Sequence, residues 1–116
     1  MRQELVNSII DVVRHEQEES MKKYPLFNST HEGYAVLLEE LEEAKEELEK
    51  IDKFVEKLWH NVRENAFEDG KYHTKYKDSA IVNVLLIYNA AIDLACETVQ
   101  VAAMANKFVE SLKPKE

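Results

Sequence analysis

The residues that make tight turns are scarce in this sequence, which has two glycines and two prolines among its 116 residues. Folds built from many short strands place such residues at their turns, so the shortage argues against a β-rich fold. Glutamate, lysine, leucine and alanine are abundant instead, and all four favour helix. The composition predicts an all-α fold, and the length predicts a single helical domain over residues 1–116.

Cysteine is also nearly absent, since Cys96 is the only one. One cysteine cannot form a disulfide within the chain, which indicates a reducing compartment. Cys96 lies in an apolar run, where we expect a small buried side chain rather than a reactive thiol. The N-terminal segment carries acidic residues and has no uninterrupted apolar core, so we expect no signal peptide and a cytoplasmic location.

Positive charge is in the minority, because 15 lysines and arginines stand against 23 aspartates and glutamates, giving a net charge of -8. Nucleic acids and anionic membranes attract proteins largely through lysine and arginine, so we expect neither as a partner. An acidic protein can still bind a nucleotide when a divalent cation lies between its carboxylates and the phosphates.

The hydrophobic pattern predicts three helices, the first over residues 2 to about 22. The first half of this helix is apolar and expected to pack, whereas the second half is polar and expected to be exposed. Pro25 excludes helix just before it, and Ser29 with Glu32 has the spacing of a capping box, which predicts a second helix from about Thr30 to 66. The second helix carries a heptad seam of Leu37, Leu41, Ala44, Leu48, Ile51, Val55, Leu58 and Val62.

A third helix is predicted from about residue 79 to 112, after a loop at 67–77 that contains a glycine and has no helical period. Its four-and-three repeat is Ile81, Leu85, Tyr88, Ile92, Ala95, Val99 and Ala102. Its other faces are apolar as well, and such a helix needs neighbours on several sides. We therefore expect an antiparallel helical bundle with long second and third helices, assembled as a homo-oligomer, either a dimer or a tetramer.

Two acidic stripes are the candidates for a metal site. On the third predicted helix, Asp93, Glu97 and Gln100 share one stripe among apolar residues. A carboxylate there needs a cation, a hydrogen-bond donor or a shifted pKa, so the stripe binds a divalent metal, meets lysine or arginine, or faces water. On the second helix, Glu40 and Glu43 are close enough to bind one Mg²⁺, although a solvated acidic face has the same pattern.

Three lysines are the candidates for contacts with phosphate. Lys71 and Lys75 lie in the predicted loop, where they either contact phosphates or keep the loop soluble. Lys107 lies two turns after Gln100 on the same stripe and is the better placed of the three. The four histidines show no paired spacing, which argues against zinc.

Two stretches, HEGYAVLLEELEEA and ETVQVAAMANKF, resemble the MazG-like all-α nucleotide pyrophosphohydrolases, and most of all their small phage-associated members. The resemblance covers about residues 27–110. It implies that an ExxE pair on one helix and an ExxD pair on a later helix hold Mg²⁺ at the junction of the α and β phosphates of a nucleoside triphosphate. A metal-activated water then releases nucleoside monophosphate and pyrophosphate.

The resemblance assigns the ExxE pair to Glu40 and Glu43, with Glu39 as an alternative start, and the first position of ExxD to Glu97. Gln100 stands where the family has aspartate. A neutral amide offers Mg²⁺ a carbonyl oxygen but no charge. The implied metal site therefore has one carboxylate fewer than the family pattern.

These residues support two functional hypotheses. The first is a Mg²⁺-binding nucleoside triphosphate pyrophosphohydrolase, with activity weakened or lost at Gln100 unless Asp93, one turn before Glu97, supplies the missing carboxylate. The second is a non-enzymatic helical oligomer of phage or mobile-element origin that acts through protein contacts. The neutral side chain of Gln100 favours the second hypothesis, and the Asp93–Glu97 pair favours the first.

Overall fold

The computed structural model describes residues 1–64 and 74–114, leaving out the side chains of residues 64 and 74–78. The described residues form three α-helices and no strand: α1 (Arg2–Lys23), α2 (Thr30–Glu64) and α3 (Thr74–Leu112). The predicted all-α bundle with long second and third helices is confirmed.

Local sequence signals explain where α1 ends and α2 begins. Tyr24 is extended, with φ -137° and ψ 93°, because the proline after it disfavours helix. At the start of α2, the Glu32 amide donates to the Ser29 hydroxyl at 3.1 Å, as a capping box requires. The Glu32 carboxylate accepts from the Asn28 side-chain amide at 3.2 Å. The predicted helix start is therefore confirmed, with Asn28 as an additional partner.

The start of α3 differs from the prediction by five residues. The helix begins at Thr74 rather than near 79, so residues 74–77 are helical and the prediction of a loop there is wrong. These residues contain neither glycine nor proline, and nothing in them forces a helix to end. The rest of the predicted loop, 67–73, lies outside the described residues.

The chain divides into two compact units. Unit 1 consists of Met1–Ala44 and Ala95–Glu116, and unit 2 consists of Lys45–Leu94. The helices α2 and α3 each contribute to both units. The prediction of a single domain is not tested by this division and stays a prediction.

In unit 1, three helix segments pack closely. An added Cβ at Gly33 on α2 would lie 2.9 Å from the Phe108 ring on α3, so only glycine allows this approach. The Phe108 ring packs edge-on against Phe27, with centroids 5.9 Å apart. The buried apolar residues of this unit are Ala44, Ala103 and Met104. Small side chains and one ring pair therefore set the spacing of these helices.

The two halves of α1 reverse the predicted pattern of burial. Its apolar first half is exposed, with Leu5 at 62% and Val12 at 50%. Its polar second half packs, because Gln17 is buried and accepts a hydrogen bond from Asn106 on α3. The prediction that the first half packs and the second is exposed is wrong. Hydrogen bonds between polar side chains, which periodicity does not reveal, hold this helix in unit 1.

Unit 2 is an antiparallel pair of helices in which the heptad seam of α2 separates into two rows. The row through Ile51 and Leu58 is partly covered, whereas the row through Leu48, Val55 and Val62 is 49% exposed at each position. Among the described residues of this unit, only Ala90 is a buried hydrophobic residue. One row of the seam therefore remains about half exposed in the described part of the chain.

The outer face of α3 in unit 2 is apolar and exposed. The first four residues of its four-and-three repeat are 48–64% exposed: Ile81, Leu85, Tyr88 and Ile92. Cys96, further along α3, is exposed too, so the prediction of a buried cysteine is wrong for the single chain. The segment Ser79–Leu112 is long and apolar enough to cross a membrane by length and composition, a property that core helices of soluble proteins share.

Candidate metal centre

Three carboxylates from two helices of unit 1 meet where α2 and α3 run antiparallel. Glu40 and Glu43 lie one turn apart on α2, and Glu97 lies on α3. One oxygen from each carboxylate lies within 4.8 Å of the other two, and all three residues are half-buried. We call these residues the carboxylate cluster. Buried Ala44, beside Glu43, has a side chain small enough to let the helices approach here.

The spacing of the oxygens suits a divalent cation. Oxygen ligands lie about 2.0–2.1 Å from Mg²⁺ and about 2.3–2.6 Å from Ca²⁺, so two ligands of one ion are at most roughly 4.2 or 5.2 Å apart. The observed upper limit of 4.8 Å falls between these two values. A single divalent cation could therefore reach one oxygen of each carboxylate after small side-chain rotations, and the larger Ca²⁺ needs less movement than Mg²⁺.

The electrostatics of the cluster also favour the binding of a cation. The pKa of Glu40 is raised, first by partial burial and then by the negative charges of Glu43, Glu97 and Glu39. A hydrogen bond from protonated Glu40 to Glu43 also favours the neutral form. A cation at the cluster would offset the repulsion between the carboxylates. A metal ion would therefore compete with protons for these oxygens.

Gln100, which the resemblance aligns with a carboxylate of the family, directs its side-chain amide to α1. Its side-chain amide donates to the Glu16 carboxylate of α1 at 2.7 Å. Glu16 lies in the half of α1 that was predicted to be exposed, and sequence reasoning missed it. The Gln100–Glu16 pair carries one negative charge, but this carboxylate belongs to α1 and not to position 100. Periodicity gave no signal for this contact, because both residues are polar and lie 84 positions apart.

Asp93 and Glu47 belong to unit 2, whereas the carboxylate cluster belongs to unit 1. Asp93 is exposed, and its charge helps to raise the pKa of Lys50 on α2. The larger causes of that shift are the hydrogen bond and the charge of Glu47, which accepts from Lys50 at 3.0 Å. Asp93 itself therefore fits two of the open alternatives for its stripe, proximity to lysine and exposure to water.

Of the three lysine candidates, Lys107 is the one whose side chain the structure describes. Lys107 lies ten residues after Glu97 on α3, roughly 15 Å along the helix axis. It is buried beside Ser20 of α1 rather than placed next to the carboxylates. Lys75 belongs to α3, but its side chain is outside the described residues, and so is the whole of Lys71.

The structure thus brings together three of the five residues predicted to ligate a metal: Glu40, Glu43 and Glu97. Comparison with family models, with curated proteins and with solved structures gives no match.

Proposed function

We propose that the protein binds a divalent cation, with Mg²⁺ as the favoured ion, at the carboxylate cluster. The bound cation would in turn bind the phosphates of a nucleoside triphosphate. The observation that carries the proposal is the convergence of Glu40, Glu43 and Glu97 from two helices. The raised pKa of Glu40 adds support, because a carboxylate held among like charges gains most when a cation arrives.

The resemblance to MazG-like pyrophosphohydrolases suggests the chemistry. A Mg²⁺ ion supplies charge for the phosphates and lowers the pKa of a bound water. The cluster would hold the ion, and its three carboxylates against one Mg²⁺ leave a net charge of about -1. With Gln100 turned to Glu16, position 100 supplies no carboxylate to the ion, so we expect nucleotide binding with weak turnover.

The test is thermal unfolding and calorimetric titration with Mn²⁺ and Mg²⁺, comparing Glu43→Gln with Glu42→Gln. Glu42 is an exposed neighbour on the same helix and gives a matched loss of charge. A metal at a hundred times its Kd should stabilise the wild type and Glu42→Gln by about 2.7 kcal/mol. Glu43→Gln should lose this stabilisation. Equal responses in the two variants would contradict a specific site.

Turnover is measured separately, as pyrophosphate release from a panel of nucleoside triphosphates with Mg²⁺. We expect slow release by the wild type and none by Glu43→Gln or Glu97→Gln. Metal binding without release would leave a nucleotide-binding protein. No metal binding at all would favour the second candidate function.

The second candidate is a helical homo-oligomer that acts through protein contacts, and the exposed heptad rows of unit 2 favour it. Counted at 100° per residue, the row of α2 through Leu48, Val55 and Val62 is turned roughly 50° from the row through Ile51 and Leu58. We use the name apolar side for nine exposed apolar residues of this unit: Leu48, Val55, Trp59, Val62, Ile81, Val84, Leu85, Tyr88 and Ile92.

The apolar side is large enough for an interface. Its nine side chains are about half exposed and offer on the order of 600 Å² of apolar surface. A standard interface buries about 800 Å² per partner. The heptad spacing of both rows matches another helix of the same period, and a second copy of the chain supplies one.

A cytoplasmic location accompanies both candidates. The apolar segment of α3 carries Asp93 and Glu97, and a charged residue at the centre of a bilayer costs about 2.5–3.5 kcal/mol. The net charge of -8 also disfavours anionic membranes and nucleic acids as partners. We therefore assign the apolar side to protein rather than to lipid.

A further inference from the structure

A cavity of about 350 Å³ lies within unit 1, at the end where α1 finishes and α2 begins. This volume falls in the range of small-molecule sites, which are mostly apolar with a few placed polar groups. Its apolar lining is Tyr24, Pro25, Leu26, Phe27, Val36 and Met104. Its polar lining is Ser20, Asn28, Glu32 and Lys107. The lining is therefore mostly apolar and carries one cation, Lys107, and one carboxylate, Glu32.

Lys107 is the unusual residue of this cavity, because it is 3% exposed. Its ammonium group donates to the Ser20 hydroxyl at 3.3 Å and lies 4.7 Å from the centroid of the Phe27 ring. In the described part of the chain, no carboxylate oxygen lies within 4.0 Å of it. A buried charge without an ion pair is costly, and burial accordingly lowers the pKa of Lys107.

The charge of Glu32 raises the pKa of Lys107, but by less than the loss of hydration lowers it. Its two oxygens accept hydrogen bonds from Asn28, at 3.5 Å from the backbone amide and 3.2 Å from the side chain. Glu32 is therefore engaged at the start of α2. The ammonium group keeps donor capacity, because it has three N–H groups and one hydrogen bond to a hydroxyl.

We propose that this cavity binds a small monocarboxylate with an apolar body, its carboxylate paired with Lys107 and Ser20. One cation and one hydroxyl match a single carboxylate better than a phosphate dianion, which needs more donors and is repelled more strongly by Glu32 because of its higher charge. The ring and aliphatic lining matches the apolar body. This site is independent of the carboxylate cluster, from which Lys107 is separated by ten residues of α3.

The experiment titrates the full-length protein with 3-phenylpropionate, with the uncharged 3-phenylpropanol and with inorganic phosphate, by calorimetry and by amide chemical shifts. We expect 3-phenylpropionate to bind about tenfold or more tightly than the alcohol, because hydrogen bonds to a charged partner are the stronger ones. Phosphate should not perturb the residues that line the cavity. Equal affinity for acid and alcohol, or no saturable binding of either, would overturn the proposal.

Variants locate the site. Lys107→Met removes the charge at similar length and should abolish the preference for the acid. Lys113→Met is the matched control, because Lys113 is an exposed lysine of the same chain end, paired with Glu110 at 2.8 Å. A preference that persists in Lys107→Met would overturn the assignment. If Lys107→Met does not fold, the comparison of acid with alcohol on the wild type decides.

Discussion

Unit 1 and unit 2 use the same two long helices but differ in what covers them. In unit 1 the added helix α1 gives polar partners to α3, and the buried residues include Gln17 and Lys107. In unit 2 no third helix is present among the described residues, and a row through Leu48, Val55 and Val62 remains exposed. A heptad pattern thus shows that a row needs a partner, but it does not show whether the same chain supplies it.

The same difference separates the two candidate functions. Carboxylates meet in unit 1, where the proposed metal ion would bind. Apolar rows are exposed in unit 2, where the proposed protein partner would bind. The two functions therefore depend on different residues and can be removed one at a time by substitution.

The largest effect is expected from charge placed on the apolar side of unit 2. Leu48→Glu with Leu85→Glu should weaken self-association by about 100-fold or more, because each buried leucine contributes roughly 1.5–3 kcal/mol and a buried glutamate is costly. Light scattering and sedimentation measure the mass. Lys53→Glu, an exposed change elsewhere on α2, is the control and should leave the mass unchanged. A wild type that stays at 13.5 kDa at every concentration would contradict the interface.

The next effect concerns the close approach of helices in unit 1. Gly33→Ala should destabilise the fold by about 1 kcal/mol, because overpacking costs about 1–3 kcal/mol and exceeds the gain of about 1 kcal/mol in helix propensity. Urea unfolding measures the change. Adding Phe108→Leu should relieve the clash, so the double variant should lose less than the sum of the single changes. A simple stabilisation by Gly33→Ala would show that the contact does not exist.

A third effect tests the departure at Gln100. Gln100→Asp should raise Mn²⁺ affinity about tenfold, because a carboxylate becomes available beside the cluster. The swapped variant Glu16→Gln/Gln100→Asp leaves the total charge unchanged and should show the same gain if position 100 ligates the ion. Glu16→Gln alone serves as the control and should show none. Calorimetry that finds a gain only in the single variant would indicate general electrostatics instead of ligation.

The smallest effect is a dependence of stability on pH. Glu40 has a folded pKa above its unfolded value of 4.5, so the folded state binds the proton more tightly and stability falls as pH rises from 4.5 through the folded pKa. Glu40→Gln should flatten this fall, and Mn²⁺ should reverse it in the wild type. Melting curves across pH 4 to about 8 measure both. An unchanged slope in Glu40→Gln would remove Glu40 as its source.

Periodicity predicted the helices, and it placed Glu40 with Glu43 on one stripe and Glu97 on another, because spacing along a helix fixes which side chains share a face. That these glutamates of two helices form one site was implied by the family resemblance alone. Periodicity failed for α1, where Gln17 and its bond to Asn106 replace apolar packing. It failed likewise for Gln100, whose partner Glu16 lies on another helix. Contacts between polar side chains far apart in sequence depend on the packing of whole helices, and no local pattern encodes them.

The continuity of α2 and α3 also restricts how the sequence can change in length. The helix α2 runs without a break through the unit boundary between Ala44 and Lys45. The helix α3 does the same between Leu94 and Ala95. One inserted residue there would rotate every later side chain by about 100°, and would turn the row through Leu48 away from its position. An insertion of seven residues restores the rows to within about 20°. Along these helices, evolution can lengthen the protein by whole heptads more readily than by single residues.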